Sequence, residues 1–142
     1  LVGRLKAAFP GIVTGVKDSS GNWSHTERLL KEHGDLAILI GDERDLAKGV
    51  RLGGQGAISG VANFLTQEVR AMAVDGKDDP RIVDLVVELL KFPVTPAVKV
   101  LVSHTTGEAI WSDVRAPLVA ISAEGRRQIE GAFDALFRKQ AA

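Results

Sequence analysis

Short apolar runs alternate with capped, amphipathic stretches through residues 1–76, and that alternation leaves few folds open. Ile12 to Val16 is a short, β-branched apolar run, Leu36 to Ile40 reads as a second strand, and Ala57 to Ser59 as a third, shorter one. The first run suits a strand buried on both faces. Helices are predicted between them. The Ser24-His25-Thr26-Glu27 stretch fits a capping box, and Lys31, His33 and Gly34 give the expected stop. A helix is also predicted from Arg44 to Leu52, after the break at Gly41-Asp42-Glu43, and another from Asn63 to about Val74. Leu1 to Ala8 reads as the end of a helix halted by Pro10-Gly11. Strand, helix, strand, helix, strand at this spacing is the pattern of a parallel α/β sheet.

The alternation stops after Asp75-Gly76, and the rest reads as helices, so the chain divides into residues 1–76 and 77–142. Asp79-Pro80 places a cap before a first-turn proline, ahead of a stripe of Ile82, Leu85, Val86, Leu89 and Leu90. Thr95-Pro96 repeats the arrangement before Val98, Leu101 and Val102. Pro117 breaks the chain, and Ser122 caps a last helix with Ile129, Phe133, Leu136 and Phe137 on one face.

Composition removes several function classes. The 142 residues carry 18 basic and 18 acidic side chains, a net charge of zero and not the basic surplus of a nucleic-acid protein. With no cysteine there is no thiolate ligand or cysteine nucleophile. His25, His33 and His104 are scattered, so no metal site is expected. Apolar runs such as Ala37 to Ile40 are far shorter than the ~20 residues of a membrane span. The chain begins at Leu1, which reads as processed, truncated or partial, and the expected location is cytoplasmic.

Parallel sheets carry their ligands at the carboxyl ends of their strands. That directs attention to Lys17-Asp18-Ser19-Ser20-Gly21, Gly41-Asp42-Glu43 and Ile58-Ser59-Gly60. Lys17 directly follows the first predicted strand. An ammonium is costly to bury, and a desolvated lysine presents a neutral amine that condenses with a ketone to an imine. The plainer alternative is a lysine that reaches water and pairs with Asp18. Asp42 has two readings as well: a contact to substrate, or a cap on the following helix. Gly41, Gly56 and Gly60 serve either ligand approach or strand-end geometry.

The letters around Lys17 shift the balance between its two readings and leave those of Asp42 and the glycines open. Gly15-Val16-Lys17-Asp18-Ser19-Ser20-Gly21-Asn22 resembles the Schiff-base lysine motif of the dihydrodipicolinate synthase and N-acetylneuraminate lyase family. The resemblance continues at Gly41-Asp42, at Gly56-Ala57-Ile58-Ser59-Gly60 with Asn63, and at Arg115-Ala116-Pro117-Leu118. It implies a partial (β/α)8 TIM barrel, with strands corresponding to the sixth to eighth, followed by C-terminal helices. It implies that Lys17 forms an imine with pyruvate or a related 2-oxo acid, without metal or organic cofactor. Gly41 and Ile58 would offer backbone groups to the oxo acid, and Asp42, Glu43 and Ser59 would lie near a second substrate.

A whole barrel of this kind takes ~250 residues. The resemblance puts the remaining strands, the family's carboxylate-binding loop and its proton-shuttling tyrosine ahead of Leu1, and this chain contains no tyrosine. Three strands leave a raw edge and an uncovered apolar face, so association with the remaining barrel, with a second chain or with copies of itself is expected. The alternative function is a catalytically incomplete half-barrel that serves as a structural or oligomerisation piece.

Two further stretches are expected to be coincidental. Gly54-Gln55-Gly56-Ala57-Ile58-Ser59 approaches a dinucleotide fingerprint but enters a strand instead of leaving one. Thr105-Thr106-Gly107-Glu108 matches the family's carboxylate loop in letters but falls where a helix should join or end. Substrate choice within the family is not legible in this segment.

Overall fold

The structure, a computed structural model, describes residues 1–138. The elements run α1 (Val2–Ala8), β1 (Gly15–Asp18), α2 (Trp23–Glu32), β2 (Ala37–Ile40), α3 (Leu46–Arg51), β3 (Gly56–Ala57), α4 (Thr66–Asp75), α5 (Pro80–Leu89), α6 (Val94–Thr106) and α7 (Ala123–Phe137). Single 3-10 turns lie at Glu43–Asp45, Val61–Asn63 and Ala109–Ser112. Contacts group the residues into two compact units: Leu1–Ser59 with Gln67–Asp78, and Gly60–Thr66 with the chain from Asp79 onward.

The first unit is built on one parallel sheet in the order β1-β2-β3. Lys17 pairs with Leu39, and Leu39 with Gly56. Laterally paired residues of a parallel sheet share a face, and neighbours along a strand alternate. One face therefore carries Val16, Asp18, Ile38 and Ile40, and the other carries Lys17, Leu39 and Gly56. The first of these packs against helices. Ile38 and Ile40 are almost fully buried, with Leu29 of α2 and Leu46 and Ala47 of α3. Gly49 of α3 sits so close to Ile40 that an added Cβ would come within 2.7 Å of its Cδ1. Lys48 lies over the Trp23 ring at 3.6 Å, linking α3 to the start of α2.

Several expected boundaries move. The first strand is Gly15–Asp18 instead of Ile12 to Val16, and Ile12 is 76% exposed. Ile12 belongs to a turn, its amide bonded to the Phe9 carbonyl. The ladder to β2 begins only where the Ala37 amide meets the Thr14 carbonyl. Lys17 is thus inside the strand, on its outer edge and exposed, not buried on both faces. The capping box at Ser24 does not form; Asn22 caps α2 through its side chain and accepts from the His25 amide. The third strand holds only Gly56–Ala57, so Ile58 and Ser59 lie beyond it. The predicted helix from Arg44 becomes a 3-10 turn followed by α3, and the one from Asn63 begins as α4 at Thr66.

The second unit is helical. Its core gathers Ile82, Leu85, Val86 and Leu89 from α5, Ala97, Val100 and Leu101 from α6, and Ile129 and Phe133 from α7. Leu90, expected in the stripe, is the C-cap of α5 and is 49% exposed. Asp79 caps α5 as expected, accepting from the Arg81 amide while Arg81 folds back onto its carboxylate at 3.0 and 2.7 Å. Ser122 likewise caps α7. Thr95 is not a cap, because α6 starts two residues earlier after Pro93. Pro96 then falls in the first turn, where its missing amide costs nothing. Thr105 and Thr106 finish α6, and Gly107 closes it at φ +78°. His104 bonds Asp134 at 2.8 Å, joining α6 to α7. Among the described residues no helix is long and apolar enough to cross a membrane.

Candidate functional site

The carboxyl ends of the three strands meet in the first unit, held together by a few directional bonds. The Gly41 amide donates to the Asp18 carbonyl at 2.7 Å, which ties the end of β2 to the end of β1. No side chain fits at Gly41, because a Cβ there would press on the Asp18 carbonyl and come within 2.5 Å of Ser19 Oγ. Gly21, at φ +62°, lies against Asp42 Oδ2, bringing the loop after β1 onto the loop after β2. Ser59 donates its hydroxyl to Glu43 Oε1 at 2.5 Å and so links the segment after β3 to the same loop.

Lys17 stands on the exposed face of this arrangement. Gly41 follows directly on the end of β2, and Ile58 directly on the end of β3, so both stand at the carboxyl ends of their strands. Ile58 is 56% exposed there. Gly41, with its amide committed to Asp18, has its carbonyl to offer.

Asp42 behaves as a cap. Its carboxylate accepts from the Arg44 amide at 3.0 Å and from the Arg44 guanidinium at 2.9 and 2.6 Å. The guanidinium bonds hold the Asp42 carboxyl below the usual carboxylate range against the opposing effect of burial, and they raise Arg44. Asp45 moves the other way, pushed up by burial and by the nearby Asp42 charge. Glu43 is buried under Ser59. Asp42 and Ser59 therefore sit at the strand ends with their polar atoms already engaged inside the loop cluster.

Asp18, offered by the sequence only as an ion-pair partner for Lys17, has a different set of contacts. It is 8% exposed, on the face opposite Lys17. Burial works to raise its pKa, but hydrogen bonds from the Thr26 hydroxyl and from Ser20 outweigh it and hold the carboxyl below its ordinary value. The signal was available in principle: a carboxylate at an apolar strand position, eight residues before a helix threonine.

The Dihydrodipicolinate synthetase family matches residues 1–136. The chain belongs to this family. A crystal structure of dihydrodipicolinate synthase from Agrobacterium tumefaciens superposes with a TM-score of 0.94 at 97% identity, covering 96% of this chain and 48% of that one. N-acetylneuraminate lyase from Fusobacterium nucleatum, complexed with pyruvate, shares the fold at a TM-score of 0.74 and 21% identity, over 95% of this chain and 48% of that one. The 4-hydroxy-tetrahydrodipicolinate synthase of Sorangium cellulosum is 40% identical over 70 residues, 49% of this chain and 23% of that protein. The chain thus spans about half the length of these solved structures and about a quarter of this curated relative. The α/β sheet with its following helices matches part of a TIM-barrel protein of the family, as expected from the lysine motif.

Proposed function

We propose that the protein carrying this chain is a class I lyase or aldolase that forms an imine between Lys17 and pyruvate or a related 2-oxo acid. Its three strands would take the places of the sixth to eighth in the barrel. The observation that supports this reading is Lys17 in the last half of β1, with Gly41 and Ile58 each following directly on the carboxyl end of a neighbouring parallel strand. The pyruvate held by the N-acetylneuraminate lyase relative supports the substrate class.

In this reading the neutral Lys17 amine adds to the ketone carbon, and the carbinolamine takes up a proton from the site's proton carrier and loses water to leave the iminium. The iminium draws electrons from the neighbouring carbon, so a bond there breaks or forms without metal or cofactor. The Gly41 carbonyl and the Ile58 backbone border the oxo acid, while Asp42 and Ser59 lie toward a second substrate. The family resemblance implies a tyrosine as proton carrier, supplied from elsewhere in the barrel, and the 142-residue sequence holds none. Such carriers contribute roughly 10²–10⁴-fold. The reading carries a cytoplasmic location with it.

Borohydride reduction in the presence of pyruvate tests the assignment. The complete protein is expected to gain one reduced pyruvyl group on the peptide bearing Lys17, and Lys17→Arg to gain none. An unlabelled Lys17 in the complete protein overturns it.

The exposed Lys17 face, with Ile58 open to solvent, favours a second reading for the chain on its own: a half-barrel that associates through that face. Sedimentation of the 142-residue chain is then expected to depend on concentration, and Ile58→Lys to weaken that dependence. A concentration-independent monomer overturns this second reading.

A further inference from the structure

We propose that Asp18 is a positioning residue for Lys17, acting through a three-point tether that fixes the end of β1. The proposal rests on the imine reading of Lys17 and goes beyond it by naming what holds the nucleophile in place.

The end of a strand is where its ladder is least constrained, and among the described residues β1 is paired with β2. Asp18 is its last residue. Instead of fraying, that residue is held through three separate oxygens. Oδ1 accepts from the Ser20 amide at 3.0 Å, Oδ2 accepts from the Thr26 hydroxyl at 2.6 Å, and the carbonyl accepts from the Gly41 amide at 2.7 Å. The tether thus reaches the next loop, the first turn of α2 and the end of β2.

The choice of a carboxylate is informative. The face of β1 that carries Asp18 is the one turned toward helices, where Ile38 and Ile40 pack in the neighbouring strand. An apolar side chain would gain burial there, and a charge is costly to bury unless well bonded. What the carboxylate adds is direction, because charge-assisted bonds are short and orienting. The bonds from Thr26 and Ser20 hold it ionised despite the burial.

Lys17 is the neighbouring residue, so the tether sets where its stem leaves the sheet. The Gly41 bond also sets how far Gly41 lies from that stem. Imine formation requires the amine at the ketone carbon, and a small misplacement is expressed in rate before binding. Loosening Asp18 is therefore expected to slow the chemistry while the oxo acid still binds.

The test measures borohydride-trapped imine at Lys17 in the complete protein against pyruvate concentration, well below the thermal midpoint. Thr26→Val removes one donor at nearly constant volume. The maximal trapping rate is expected to fall on the order of ten-fold, with half-saturating pyruvate unchanged, and Thr26→Ser is expected to restore it. Asp18→Asn is expected to move the rate in the same direction. A folded Thr26→Val or Asp18→Asn protein that traps at the unmodified rate overturns the positioning role and leaves the imine reading intact. A fall matched by a rise in half-saturating pyruvate also overturns it, assigning the pair to binding. Absence of labelling at Lys17 in the unmodified protein overturns the imine reading and this proposal together.

Discussion

Lys17 and Asp18 are neighbours in sequence with opposite surroundings, and the difference is set by which face each occupies. Lys17 stands out in the sequence because its motif resembles a family signature, since position alone favours a lysine that merely reaches water. Asp18 does not, since its partner Thr26 lies across a loop and inside a helix whose start was misplaced. Asn22 and Ser24 are both good caps, and letters alone do not choose between them. The structure chooses Asn22, which leaves Thr26 in the first turn facing Asp18. A pH dependence follows. The folded pKa of Asp18 lies below its ordinary value, so its contribution to stability is present above the unfolded pKa and is lost as pH falls through the folded one. The unmodified protein is expected to exceed Asp18→Asn in urea midpoint at neutral pH. The gap should close below about pH 4, the ordinary aspartate value.

At the scale of elements, Asp79 and Ser122 cap helices as expected, Ser24 and Thr95 do not, and the strand bounds move. Asp79 before Pro80, Ser122 and Gly107 each mark a helix end by local chemistry alone, and each does so in the structure. The first strand was placed three residues early because Ile12 and Val13 have strand-like side chains, while the actual boundary is set by where β2 offers a partner. Pairing is non-local, so apolar letters do not locate it. Loop bonds such as Ser59 to Glu43 were invisible for the same reason. A close approach between elements gives the clearest stability prediction. Alanine is the better helix former, by about 1 kcal/mol over glycine. Gly49→Ala is nevertheless expected to destabilise the first unit by about 1 kcal/mol net, because its Cβ presses on buried Ile40 and overpacking costs roughly 1–3 kcal/mol. Chemical denaturation measures the sign directly.

At the scale of the whole molecule, the α/β alternation followed by helices was legible throughout. The bonds that draw the strand ends into one site depend on the three-dimensional meeting of distant loops. The sequence carries equal numbers of acidic and basic residues. Proteins near zero net charge associate most readily, so turbidity of concentrated protein is expected to peak near neutral pH and fall on either side. The Asp42–Arg44 pair repeats that neutrality in miniature. Its carboxylate and guanidinium are closed on each other beside the strand ends, so together they present a dipole and not a charge. Such a closed pair adds little to the long-range field at the strand ends. Whatever this pair contributes to recognition is therefore made at contact and not during a ligand's approach, and its part should respond only weakly to salt.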